Sequence, residues 1–421
     1  MKVYKFGGAS INNIERIQNT AGIIESHAGE KLLVVISAMG KTTNALEKVV
    51  EAFFNGDQED ALLLFQKIKK NHLDMVKYLI NLNWEAAEKQ LSDFFTEVEW
   101  LLHDKPVKEF DYYYDQVVAC GELMSTAIIG QFLLEKGINL KWVDVRDILK
   151  TDNNFRDAGI NHEETEIQIK KHVLPLFEKY DVVLTQGFIG ATDENESTTL
   201  GREGSDYSAA ILANLLNAKS VTIWKDVDAV MSADPRIFSD AVNIPLLSFM
   251  EVIEMAYYGA QVIHPKTIKP LQNKRIPLYV KSFLDPSLPG TAITETPVKN
   301  LPPIIVVKPQ QVLIRFRSKD YSFVKDEPLQ NLQELFSELK FRPNLIQNTA
   351  ISLLCCFSDH PEKIGKLASV AAGYFDVEVE KGLQLLTIRH YDKAALEKFT
   401  DGKEIVLLQK TVDTVQALYR D

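Results

Sequence analysis

Lys31-Leu32-Leu33-Val34-Val35-Ile36-Ser37-Ala38-Met39-Gly40-Lys41-Thr42-Thr43-Asn44 decides the fold class. Leu32 to Ile36 form an unbroken aliphatic run that ends in a polar, glycine-containing loop. A run without alternation belongs to a strand buried on both faces, as in a parallel sheet covered by helices. A helix is predicted from Ala45. Upstream, Val3 to Phe6 reads as a strand ended by Gly7-Gly8. Ser10 then precedes the helical stripe Ile11, Ile14, Ile17, Ala21 and Ile24. Strand, polar loop and helix, twice in succession, mark an α/β chain.

Further strands are predicted at Leu140–Val143, Asp181–Leu184, Ser220–Trp224 and Pro277–Val280. About 45–105 holds no strand and reads as a helical hairpin inserted at the sheet edge. Val117–Ser125 leads a helix through about Glu135, and Asp152–Glu166 reads as an irregular polar excursion. The alternation makes 1–295 one α/β domain. Residues 296–303 read as a proline-rich linker. Over 304–421 the pattern shortens, with strands at Val312–Phe316, Ile351–Phe357, Val377–Glu380 paired with Leu383–Ile388, Ile405–Leu408 and Val415–Leu418. Helices are predicted at Leu329–Leu339, Pro361–Ala371 and Ala394–Phe399. Such short units suggest one or two small ferredoxin-like α/β sandwiches. No catalytic cluster lies there, which suits a regulatory or oligomerisation region.

The chain has 421 residues, more than one ordinary core accommodates. Its net charge of −11 argues against a nucleic-acid partner. An anionic substrate would therefore be held by local cations and backbone donors. Cys120, Cys355 and Cys356 are odd in number and include no CxxC, so neither a disulfide framework nor a resident metal is expected. No signal peptide and no apolar run long enough to cross a membrane are read, and a cytoplasmic location is expected.

Ligands of open parallel sheets bind beyond the carboxyl ends of the strands. Five polar loops are expected there: Lys5–Ser10, Ser37–Asn44, Thr185–Gly190, Arg202–Asp206 and Lys225–Arg236. They bring Lys5, Arg202 and Arg236 as cations, Asp206 and Asp226 as anions with Glu122, and several glycine N–H donors. That set suits phosphoryl transfer, where the protein mainly positions groups and neutralises spread negative charge. Thr198–Asp206 opens the apolar helical run of Ala209, Ile211, Leu212 and Leu215. It reads equally as an anion site at a helix N-terminus or as a capped surface turn. Gly40-Lys41-Thr42 imitates the end of a phosphate-binding P-loop, but Val35 stands where that loop needs its first glycine. Lys5 as a strand-end charge, Glu122 as a first-turn acid, and Ser37, Thr43 and Arg236 as cap residues remain open readings. His264 and Tyr112–Tyr114 read as structural.

Lys5-Phe6-Gly7-Gly8-Ala9-Ser10 resembles the signature that opens aspartokinases. Ser37-Ala38 with Thr43-Asn44, Gly121-Glu122-Leu123-Met124-Ser125 and Thr185–Gly190 follow in that family's order. So do Thr199–Arg202, Gly204-Ser205-Asp206, Asp234-Pro235-Arg236 and Gly259-Ala260. The resemblance implies an amino acid kinase fold, a central mostly parallel sheet with helices on both faces, followed by shortened ACT-like regulatory domains. It implies ATP-dependent phosphorylation of the L-aspartate 4-carboxylate, the first step toward lysine, threonine and methionine, with Mg²⁺ carried on the ATP phosphates. It further implies pairing into a homodimer through the ACT-like domains. By the same resemblance Lys5 neutralises the transferring phosphoryl group and Asp206 orients Lys5. Gly7, Gly8 and Ser10 cradle phosphates, Glu122 takes the substrate ammonium and Arg202 its α-carboxylate. Ser37, Thr43, Gly204 and Ser205 hold the rest of aspartate. Lys225, Asp226, Met231, Arg236 and Gln261 occupy nucleotide positions.

Four residues depart from the pattern. Ala9 replaces a hydroxyl, Met231 an aromatic ring and Gln261 a lysine, with Lys225 the candidate replacement cation. Glu203 stands where the family has a second glycine, and its side chain is expected to face solvent or Arg202. The loop Arg317–Phe323 lacks the small-residue turn that receives an effector. A catalytically weak subunit of the same fold, and a kinase for another acidic amino acid, are the competing readings.

Overall fold

The strand predicted at Leu32–Ile36 lies at the heart of the sheet, with all five residues buried. The computed structural model describes residues 1–27, 29–319 and 326–420. Contacts divide the chain into two units, one of 1–230, 243–253 and 262–298, the other of 231–242, 254–261 and 299–421. The second thus takes two short segments that a single cut near 295 assigns elsewhere.

The first unit's strands are β1 (Lys2–Phe6), β2 (Leu32–Ile36), β3 (Leu140–Trp142), β4 (Val182–Gln186), β5 (Ile189–Ala191), β6 (Ser197–Thr199), β7 (Val221–Lys225), β8 (Leu246–Ser248), β9 (Leu278–Ser282) and β10 (Thr291–Thr294). Eight form one sheet in the order β3-β4-β2-β1-β7-β9-β10-β8. All neighbours are parallel except β9 and β10. The carboxyl ends of β1, β2, β4 and β7 therefore share one edge. β5 and β6 form a separate antiparallel pair, so the Arg202–Asp206 loop follows a hairpin rather than a strand of the main sheet.

The helices to residue 298 are α1 (Ile14–Glu25), α2 (Thr42–Phe54), α3 (Gln58–Leu79), α4 (Trp84–His103), α5 (Phe110–Glu135), α6 (His162–Gln168), α7 (Gly204–Leu215), α8 (Phe249–Tyr258) and α9 (Pro265–Asn273). Side chains alternate along each strand. Tyr4, Phe6, Leu32, Val34 and Ile36 pack in one cluster with residues of α1 to α5, while α7 packs against β1, β2 and β7. The two apolar runs that suggest the hairpin, Leu62 to Ile68 and Leu73 to Ile80, fall on one long helix, α3, with Ile80 its C-cap. It packs beside α4, and both rest on α5. By length and composition α5 could cross a bilayer, which the sequence reading missed, but its apolar window is 89% buried within the fold.

The second unit carries β11 (Ile304–Ser318), α10 (Asp326–Glu338), β12 (Leu345–Asn348), β13 (Ser352–Ser358), α11 (Pro361–Ala371), β14 (Phe375–Arg389), α12 (Lys393–Thr400), β15 (Glu404–Lys410) and β16 (Thr414–Arg420). Its six strands form one antiparallel sheet, β12-β13-β11-β14-β16-β15. This is the ACT-like α/β sandwich. The two strands predicted over Val377–Ile388 are one, β14. Lys381-Gly382 is no hairpin turn, because Gly382 (φ 77°) lies within β14 and the pairing with β11 shifts register between Lys308 and Leu313. Residues 320–323 of the loop Arg317–Phe323 lie outside the described residues.

Candidate active site

Packing two loops against each other creates the floor of the cleft. The Gly8 carbonyl accepts from Gly40 N at 3.1 Å. A Cβ on Gly8 would lie 2.6 Å from the Ala38 carbonyl oxygen and 2.9 Å from that of Gly40. Only glycine lets the β1 and β2 loops meet so closely. Gly40 lies left-handed (φ 56°) against the first loop, and with Val35 buried in β2 no P-loop wraps here.

Above this floor opens a cavity of about 610 Å³. It is lined by Lys5 of β1, by Gly7, Gly8 and Ser10 after that strand, by Ser37 and Thr43 after β2, and by Glu122 of α5. Arg202, Gly204, Ser205 and Asp206 enter at the start of α7, and Lys225 and Asp226 at the end of β7. Every residue predicted for the acceptor thus shares one cavity with the phosphate-side glycines. Met231, Arg236 and Gln261 do not line it and belong to the second unit. The Arg236 guanidinium is exposed and paired with Asp234 at 2.7 Å. The Ser10 hydroxyl donates to the Trp224 carbonyl at 3.5 Å, so this residue shapes the cleft rather than offering its O–H.

Charge in the cleft is arranged around Asp206. Lys5 Nζ lies 2.6 Å from Asp206 Oδ1, and both side chains are largely buried. Lys225 Nζ lies 4.0 Å from Oδ2 and donates to the Val262 carbonyl at 2.5 Å. Burial alone would raise the Asp206 pKa, but Lys5 and then Lys225 outweigh it and hold the carboxylate below its ordinary range. Glu122 is different. It is 3% exposed, Oε2 has no hydrogen-bond partner among the described residues, and burial pushes its pKa up to about 8 against the weaker pull of Lys5 and the Ala38 N–H.

Sequence reasoning missed Asp115. This buried carboxylate accepts from Thr199 N (2.8 Å), Thr199 Oγ1 (2.7 Å) and Arg156 N (3.0 Å), so it fixes the ends of two loops that line the cleft. Burial raises its pKa to about 6, the three donors opposing. Tyr114 lines the cleft instead of only packing, with the Arg156 guanidinium 4.3 Å above its ring. Their signal was faint, since both sit in the aromatic-rich first turns of α5, which read as packing. Glu203 is half-buried and makes no ion pair with Arg202; its Oε2 accepts from His264 N at 2.9 Å. Among the described residues no group of His, Cys, Asp and Glu is arranged to hold a metal.

The amino acid kinase family model matches residues 1–282. Lysine-sensitive aspartokinase 3 of Escherichia coli (strain K12) is 36% identical over 299 residues, 70% of this chain and 65% of that protein. The chloroplastic bifunctional aspartokinase/homoserine dehydrogenase 2 of Arabidopsis thaliana is 34% identical over 300 residues, 70% of this chain and 32% of that protein. The chain thus spans about a third of the bifunctional relatives' length. The crystal structure of E. coli aspartokinase III in complex with aspartate and ADP is similar at 27% identity and TM-score 0.79. That match covers 100% of this chain and 96% of the other.

Proposed function

The chain belongs to the amino acid kinase family, and on that premise we propose that it transfers the γ-phosphoryl group of ATP to the side-chain carboxylate of L-aspartate, giving 4-phospho-L-aspartate. One observation carries the reading: a buried carboxylate, Glu122, and a guanidinium without an ion pair among the described residues, Arg202, line the same cavity as the Lys5–Asp206 pair. These are opposite-charge handles for a zwitterionic amino acid, beside a cation suited to a transferring phosphoryl group. The acceptor is already a carboxylate, so no general base is required.

In this reading Glu122 takes the ammonium and Arg202 the α-carboxylate, while Ser37, Thr43, Gly204 and Ser205 hold the remainder by hydrogen bonds. Lys5, kept in place by Asp206, neutralises charge on the phosphoryl oxygens. Gly7, Gly8 and Ser10 form the phosphate floor, and Lys225 and Asp226 serve the nucleotide. Mg²⁺ arrives on the ATP phosphates and supplies charge neutralisation there. Residues 1–295 are the catalytic domain, 296–303 the linker, and 304–421 the regulatory region through which two copies pair. The setting proposed is the cytoplasm, at the head of lysine, threonine and methionine synthesis.

A coupled ADP-release assay with ATP, Mg²⁺ and a panel of amino acids tests the reading. Turnover with aspartate and not with glutamate supports it. Nucleotide binding without turnover would favour the catalytically weak subunit instead. Gly8→Ala gives a second measurement. Its Cβ meets backbone that cannot step aside, so kcat/KM for ATP should fall by about two orders of magnitude, as a displacement near 1 Å would cause. Gly7→Ala meets no backbone, only the Lys5 ammonium at 3.3 Å, so a shift of a few tenths of an ångström would accommodate it and the loss should be smaller.

A further inference from the structure

Arg202 makes no hydrogen bond or ion pair among the described residues, so its guanidinium is aimed by its backbone neighbours alone. Both are left-handed, Gly201 at φ 73° and Glu203 at φ 54°. Glycine takes that conformation freely, whereas glutamate does so only where its surroundings hold it. Glu203 occupies the N-cap of α7 without a side-chain bond to that helix. Its carboxylate reaches across to the His264 N–H, at the N-cap of α9, where an anion is favoured. Gly201 has no room for a side chain on the other side, since a Cβ there would lie 2.8 Å from Asp157 Oδ1. Asp157 in turn pairs with Lys266 in the first turn of α9. The turn bearing Arg202 is thereby bonded to the start of α9 through Glu203, while Asp157, itself paired with that helix, packs beside Gly201.

We propose that Glu203 is a positioning residue, an anchor that fixes the Arg202 turn to the α9 N-terminus and so sets affinity for the acceptor's α-carboxylate; this rests on the aspartate kinase reading. Three variants separate the anchor from the backbone strain. Glu203→Gly frees the left-handed turn and removes the anchor. Glu203→Ala removes the anchor and keeps the strain, and Glu203→Gln keeps an acceptor oxygen without the charge.

Steady-state kinetics and thermal melting of wild type and variants form one experiment. The KM for aspartate should rise about tenfold in the Gly and Ala variants, the effect of one charge-assisted hydrogen bond. The KM for ATP should stay within about twofold of wild type, and Gln should restore part of the aspartate affinity. The Gly variant should melt above the Ala variant yet bind aspartate no better, which a merely structural role does not give. An unchanged aspartate KM in Glu203→Gly, or an equal rise for both substrates, overturns the inference. A wild type that binds ATP but does not phosphorylate aspartate overturns the underlying reading, so the two failures are distinct.

Discussion

Lys5→Met is expected to lower kcat for ADP release by about three orders of magnitude, the range for losing a cation that stabilises a phosphoryl transition state. Lys5 is the penultimate residue of β1, followed by Phe6 and two glycines without side-chain bulk, and its ammonium enters the cavity 2.6 Å from Asp206. Its charge is therefore positioned before substrate arrives, with no reorganisation needed at the moment of transfer. The substitution has a second consequence. Removing one partner strands a buried carboxylate, and breaking such a pair costs about 3–5 kcal/mol of stability. Lys225, 4.0 Å away, offsets only part of this. Loss of activity and loss of fold would then be confused, and Lys5→Met/Asp206→Asn separates them. The double variant removes both charges, so its thermal midpoint should recover toward wild type while kcat stays down. A double variant with kcat within about tenfold of wild type would show that the Lys5 charge is not what the reaction uses.

The parts of this molecule legible in sequence are those whose physics is local. β2 announces itself because a strand buried on both faces has no polar position, and β1, β4 and β7, though each carries polar residues, are short apolar-rich runs that end in polar loops. Their parallel order then delivers the Lys5, Ser37 and Lys225 loops to one edge without further information. β6 is the contrary case. Ser197-Thr198-Thr199 has no apolar pattern, yet all three are buried, because Asp115, eighty-four residues upstream of Thr199, satisfies Thr199 through two bonds. A buried carboxylate paid for by donors from distant segments cannot be seen from its own neighbours in α5. Glu203 is illegible for the same reason: its partner is a backbone N–H sixty-one residues away. β14 misleads differently, since Lys381-Gly382 has the chemistry of a turn and serves as an irregularity in one long strand.

Aspartate affinity is expected to rise with pH, because Glu122 enters the empty site protonated. Its pKa of about 8 reflects burial first, with Lys5 and the Ala38 N–H opposing. An ammonium ligand needs the carboxylate form, so binding near neutrality must expel the proton. The dissociation constant should therefore fall about tenfold between pH 6 and pH 7 and level off above about 8. Calorimetry in two buffers of different ionisation enthalpy should find about one proton released per aspartate bound at pH 7. The effect on folding has the opposite sign. A carboxyl whose folded pKa is raised from 4.5 to about 8 contributes stability that is full below the lower value and lost as pH climbs through the higher. The ligand-free protein should thus lose stability over that window while gaining affinity for its acceptor. Glu122→Gln uncouples the two. It should flatten both pH profiles and weaken aspartate binding by about 10- to 100-fold at pH 8, the loss of a charge-assisted bond to the ammonium. A wild-type binding profile already flat between pH 6 and 8, or a slope that survives in Glu122→Gln, would assign the ammonium to another group.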